Sequence, residues 1–278
     1  MIEARSRNVF QRWSFASSVL AICLLLAPPL IDAAPPAVDQ RTTQPIDYEE
    51  PRVLTATIYE AKSEPRKALF NFVRTATRSG SIVRVLREFN SPDGTPAARE
   101  RIVYDAGKLA SYELQELQSG ARGLAVVRPD LKNGDQEKLI FEYLTGPGRE
   151  TKKKFANSES LEKDVLINDM IPPFILSHWD GLMKGSSEKF RLVVLPRVET
   201  VRFKLAKDSE TVHQGRAVIR FKMEPASFVT AQLIEPIMFT AERDGQHRIL
   251  QYWGRTTPRL KSGNGWKDLD ALTVFDWK

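Results

Sequence analysis

The spacing of the turn signals constrains this chain more than any other feature. Ser79-Gly80, Ser91-Pro92-Asp93-Gly94, Asp105-Ala106-Gly107, Ser119-Gly120, Asn133-Gly134-Asp135 and Gly146-Pro147-Gly148 punctuate the first half. They recur at roughly ten-residue intervals, the cadence of an antiparallel meander. Gly, Asn and Asp tolerate the positive φ that tight hairpins demand. Between them lie short mixed segments, 68–77, 82–89, 99–104, 109–117, 124–128 and 139–144. No interval holds the helical run of about 10 to 15 residues that a parallel βαβ unit needs, so Rossmann- and TIM-type architectures are excluded.

The second half repeats the style. Val201-Arg202-Phe203-Lys204-Leu205 and Ala217-Val218-Ile219-Arg220-Phe221-Lys222-Met223 alternate strictly enough to give one apolar and one basic face. An Asp244-Gly245 turn between 237–243 and 246–253 predicts a two-residue hairpin pairing Phe239 with Leu250 and Glu242 with His247. The last strand is expected over 271–277.

One region breaks the β pattern. From about 158 to 185 the sequence reads as two helices divided by Pro172-Pro173. The second, over 173–184, places Phe174, Ile175, His178, Trp179, Leu182 and Met183 on one stripe, and Gly185 supplies the stop. A short helix or a strand fits 227–235. Strand twist accumulates, so one sheet of about ten or more strands must curl. The expected fold is mainly β: a curved antiparallel sheet forming a half-open barrel, with the inserted helices as a lid over its concave mouth.

Arg5, Arg7 and Arg12 precede an apolar stretch from Phe15 to Ala27, then Pro28-Pro29 and the small residues Ala33 and Ala34. That is the order of a secretory signal, with cleavage expected after Ala33. The stretch is shorter than the ~20 residues of a bilayer-spanning helix, so an uncleaved anchor is the lesser alternative. Residues 34–52, rich in Pro, Gln, Thr and Asp, read as a flexible lead-in, and 53–278 as a single β-rich domain. The only cysteine, Cys23, lies in the signal, so the remainder can form no disulfide framework. A periplasmic or otherwise extracytoplasmic location follows as an expectation.

This combination of export signal, long meander and helical insertion, with Asn168-Asp169-Met170-Ile171-Pro172-Pro173-Phe174 followed by His178-Trp179-Asp180, resembles the bacterial lipoprotein-carrier group, the LolA/LolB-like open barrels. The resemblance extends over most of residues 54–277. It implies a curved sheet with a lid and an apolar interior that takes up acyl chains or another hydrophobic ligand.

The sequence carries little catalytic signature. Three separated His and no Cys beyond the signal form no metal motif, and no cofactor is expected. Gly-x-Ser-x-Gly and phosphate-cradling loops are absent, although a nonlocal Ser-His-Asp hydrolase site leaves no obligatory local signature. The candidate ligand-binding residues are Phe174, Ile175, Trp179, Leu182 and Met183 on the helix, with Phe203 and Phe221 on strands. Ordinary core packing of the helix on the sheet explains the same stripe. The net charge of +6 and the basic residues Lys152, Lys153, Lys154, Arg202, Lys204, Arg220 and Lys222 form a candidate surface for an anionic membrane or an envelope protein. Solvated strand faces account for them as well. Export argues against nucleic acid as a partner. The readings carried forward are a carrier for a lipid or other hydrophobic small molecule, an envelope interaction protein with a filled core, and an exported hydrolase.

Overall fold

The computed structural model describes residues 46–61, 63, 65–132, 134, 136–146, 153–227 and 235–277. The signal segment, most of the lead-in, Lys152, and the 228–234 part of the expected short helix or strand lie outside them.

Strands β1 (Val53–Glu60), β2 (Ala68–Ser79), β3 (Ile82–Asn90), β4 (Pro96–Asp105), β5 (Lys108–Glu116), β6 (Ala121–Pro129), β7 (Glu137–Leu144) and β8 (Lys154–Ser160) form a first meander. A second comprises β10 (Ser187–Val194), β11 (Glu199–His213), β12 (Arg216–Pro225), β13 (Ile237–Glu242), β14 (Ile249–Ser262) and β15 (Gly265–Asp276). Between them, β9 (Val165–Leu166) pairs in parallel with β10. The two meanders make one curved sheet because β1 pairs with β15, with Thr55 opposite Asp276. The order from edge to edge is β8 through β1, then β15 through β9. The ends of the described chain thus lie in the middle of the sheet, and the middle of the chain forms its two edges.

The sheet is not closed into a barrel, yet side chains on its β8 edge reach β11 and the turn before it, close to the other edge. Glu159 on β8 accepts hydrogen bonds from the Thr200 amide (3.2 Å) and hydroxyl (2.6 Å) on β11, and Asn157 Nδ2 donates to Val198 O at 3.0 Å. Leu195, in a short 3₁₀ turn after β10, sits over Gly123 of β6. A Cβ at position 123 would come within 2.9 Å of Leu195 Cβ, which is why this strand carries glycine there.

Period-two alternation decides which side chains go inside. On β4, Ala98, Glu100, Ile102 and Tyr104 are buried, and on β11 Phe203 and Leu205 are buried while Lys204 between them is half-buried and Arg202 before them is exposed. The helical insertion differs from the sequence expectation. The first expected helix is absent, since 154–160 pairs with β7 as a strand. Pro172 and Pro173 open a helix rather than divide two, because the first turn needs no donor from its prolines. Helix α1 (Ile171–Ser177) and helix α2 (Trp179–Met183) meet at His178, and a 3₁₀ turn over Asn168–Met170 leads in.

Two further differences have local causes. Residues 46–52, expected as the end of a flexible lead-in, are packed: Tyr48 is buried and stacks on Tyr104 with ring centroids 4.1 Å apart. The β13–β14 hairpin is wider than a two-residue turn, with Phe239 opposite Tyr252 and Ala241 opposite Ile249. The loop over 243–248 takes up the extra residues, and its His247 ring stacks on Trp179 at 3.9 Å.

Candidate functional site

A row of charges crosses the inner face of the sheet. Arg74 on β2 stands opposite Arg87 on β3, and Arg87 stands opposite Glu100 on β4. Each occupies the inward phase of its strand, so the register alone brings them into line. Two arginines facing each other repel unless acids intervene. Glu100 takes a hydrogen bond from Arg87 Nη1 at 2.6 Å, and the 3₁₀ turn delivers Asp169 onto Arg74, whose Nε and Nη2 donate to it at 2.8 and 3.2 Å. Tyr104 donates to Asp169 (3.0 Å), while Tyr112 (3.1 Å) and Thr257 (3.0 Å) donate to Glu100. Arg74 also donates to the carbonyls of Tyr48 and Pro51, which ties residues 46–52 to the same network.

The electrostatics follow from this geometry. Burial pushes the Asp169 carboxyl up, but the Arg74 charge and hydrogen bonds, then Arg87 and Tyr104, hold it below the ordinary carboxylate value. Burial pushes the Arg87 guanidinium down, and Glu100 and Asp169 more than restore it. Tyr104 and Tyr112 are raised well above the usual phenol value, first by burial and then by the neighbouring carboxylates. Tyr48 is pushed up to about 12 by burial and by Asp169. All three remain protonated at neutral pH, so Tyr104 and Tyr112 act as donors.

Beside the row is a cavity of about 110 Å³. It lies between two apolar clusters: Ile58, Phe72 and Phe89 come from one, and Ile171, Phe239 and Ile249 from the other. Arg74, Arg87, Glu100 and Asp169 form its polar wall. Beyond the row, β14 crosses the interior: Thr257 reaches Glu100 on β4, and Arg259 pairs with Glu116 on β5 at 3.1 Å and donates to Tyr143 on β7. At the other side the cavity shares Glu50, Pro51, Leu54, Pro172, Pro173, Ile249 and Trp277 with an open surface groove of about 790 Å³. Val53 (65% exposed) and Leu176 (42% exposed) line that groove, so apolar surface continues from the interior to solvent.

The residues singled out from sequence are placed elsewhere. Ile175, Leu182, Phe203 and Phe221 are buried in the larger core, Phe174 packs on Phe190 (5.2 Å) and Trp179 on Phe221 (5.3 Å), with Met183 at the core's margin. None of the seven lines the cavity or the groove; the helix contributes Ile171, Pro172 and Pro173 to the cavity instead. The basic residues are divided between the two sides of the seam, Lys153 and Lys154 at the start of β8 and Arg202, Lys204, Arg220 and Lys222 on β11 and β12. Several are neutralised: Lys154 by Glu142 (3.1 Å), and both Lys204 (3.3 Å) and Lys222 (3.0 Å) by Glu224.

Sequence reasoning missed Arg74, Arg87, Glu100 and Asp169. A signal for the first three existed. Phe70-Asn71-Phe72-Val73-Arg74-Thr75-Ala76 puts an arginine in phase with inward apolar residues, as do Val83, Val85, Arg87 and Phe89 on the next strand.

The site offers binding groups rather than a reactive constellation. Among the described residues no three His, Cys, Asp or Glu side chains converge to hold a metal. Ser177 Oγ lies 3.0 Å from His178 Nδ1, but each is also 2.9 Å from Phe174 O, so the contact closes a helix end. No described helix is long and apolar enough to cross a membrane. What fold and site define is a curved, unclosed β-sheet protein with an internal, mainly apolar cavity. Comparison with protein-family models, curated proteins and solved structures returns no match.

Proposed function

We propose that this chain is a binding or carrier protein for a hydrophobic ligand, a lipid or other alkyl-chain molecule, working in the bacterial periplasm or an equivalent extracytoplasmic space. The observation that carries the reading is the continuity between the internal cavity and the open apolar groove. A chain entering there would leave water at Leu54, Ile249 and Trp277 and meet Ile58, Phe72 and Phe239 further in. Burial of apolar surface is worth about 25 cal/mol per Å² before ordering costs, enough to drive uptake without a chemical step. The order of basic, apolar and small residues over 1–34 supports the location, and the resemblance to lipoprotein-carrier open barrels supports the ligand class. The pairing of Lys154, Lys204 and Lys222 with glutamates gives the basic-face partner reading less support.

Trp277 lines both spaces, which makes it the natural reporter. Titrating the full chain with a bromine-labelled fatty alcohol should quench its fluorescence saturably, and Trp277→Phe should remove most of that quenching. Native mass spectrometry of the same samples should show a one-to-one adduct. A chain that takes up no alkyl probe by either measurement would remove the carrier reading.

A further inference from the structure

We infer that the cavity selects an alkyl chain ending in an uncharged hydrogen-bond acceptor, an alcohol or ester oxygen, which enters head-first and is held by Arg87. The inference rests on the hydrophobic-ligand reading above and specifies which ligands that site prefers.

Arg87 is the key group. Its Nη1 is committed to Glu100, and its guanidinium lies over the Phe72 and Phe89 rings at 5.2 and 5.8 Å. Its Nε is buried and makes no hydrogen bond among the described residues. Asp169 Oδ1 is 3.9 Å from it, beyond hydrogen-bond reach. A buried donor of this kind favours any occupant that brings an oxygen to it. Arg87 lines the cavity but not the outer groove, so the oxygen belongs at the inner end and the chain trails outward past Leu54, Ile249 and Trp277.

Charge balance decides which oxygen. Arg74 and Arg87 are matched by Asp169 and Glu100, and Arg255, which also lines the cavity, is matched by Asp268 (2.6 Å) and Asp270 (2.9 Å). The remaining charged lining residue is Glu50 at the mouth. A carboxylate or phosphate head would have to be buried beside two carboxylates with no surplus cation, a costly arrangement. An ammonium head would present donors to a donor. A neutral acceptor satisfies Arg87 without disturbing the balance. Size sets the length: one water-sized site takes about 10–15 Å³, so the cavity holds on the order of eight heavy atoms, and a longer chain continues into the groove.

The test compares three eight-carbon probes on the full chain by competition for the brominated alcohol: 1-octanol, octanoate at pH 8, and 1-chlorooctane, which lacks an effective acceptor. Octanol should bind at least about tenfold tighter than either of the others, as expected for one hydrogen bond to a charged donor. Octanoate binding as tightly as octanol would overturn the neutral-head assignment, and chlorooctane doing so would overturn the role of Arg87. Either result leaves the carrier reading standing. Failure of all three, and of the brominated alcohol itself, would remove both. A paired variant, Arg87→Met with Glu100→Gln, removes one charge of each sign. Checked for folding by circular dichroism, it should bind octanol and chlorooctane equally, whereas retained octanol preference would overturn the inference. If that variant does not fold, the probe series on the unaltered chain decides alone.

Discussion

The two sides of the interior are held together by different forces. Under α1 and α2 the core is apolar throughout: Ile175, Leu182, Phe190, Phe203 and Phe221 are all almost completely buried and fill the space between the helices and β10–β12. Across β2, β3 and β4 the interior instead carries Arg74, Arg87 and Glu100, clamped by Asp169, and there the cavity is found. The difference has a physical logic. Apolar contacts are non-directional, so side chains free to move collapse into available space. Charged hydrogen bonds fix distance and angle and resist being drawn inward. A hollow next to an ionic framework can therefore persist where one in a greasy core would close.

The largest test of this contrast is Asp169→Ala. It leaves the buried Arg74 facing the half-buried Arg87 with one acid between them and detaches the 3₁₀ turn, so urea unfolding should show a loss of about 3–5 kcal/mol, accompanied by loss of alkyl-probe binding. On the packed side, Leu182→Ala should cost about 3 kcal/mol through the cavity it creates yet leave probe binding within about twofold in native buffer. If both variants lose binding equally, the two sides are not independent. Acid should act on the ionic side. Asp169 is held below its ordinary value when folded, so its contribution is complete above that value and is lost as pH falls through the lowered one. Unfolding midpoints measured from about pH 5 to pH 2 should fall, and Asp169→Asn should flatten part of that slope. Tyr104→Phe removes one donor to Asp169 and should cost about 1 kcal/mol. Smallest of all, Lys204→Ala on the outer face should change stability by no more than about 0.5 kcal/mol, since Glu224 keeps Lys222.

What could be read from the sequence follows from the range over which each signal acts. Turn residues act locally, and the six strands expected between 68 and 144 correspond to β2 through β7. The curled, unclosed sheet followed from strand number and twist. The sequence predicts a two-residue turn after β13, whereas the loop there is longer and its His247 stacks on Trp179, a contact made to a helix far away in sequence. The Pro172-Pro173 pair reads as a divider in the sequence, but only a single 3₁₀ turn precedes α1, and the prolines serve as its start. The candidate ligand residues were selected for their apolar stripe, and a stripe identifies a face that is covered without saying whether protein or ligand covers it. The ionic row was half legible through inward-phase Arg74, Arg87 and Glu100. Its fourth member was not, because Asp169 meets Arg74 across 95 positions of chain and no local pattern announces that partnership.

The pairing of the first and last described strands in mid-sheet has a consequence for connectivity. Pairing β1 with β15 joins residues 221 positions apart, and the sheet stays in two pieces until the final strand is available. A circular permutant opened in the 161–164 linker between β8 and β9, with β15 spliced to β1, would run through all fifteen strands in their spatial order. Every ladder would then be a local one. With mean sequence separation reduced and contacts unchanged, the permutant should refold faster than the parent, and the gap in the sheet that natural connectivity must bridge would become a pair of free ends.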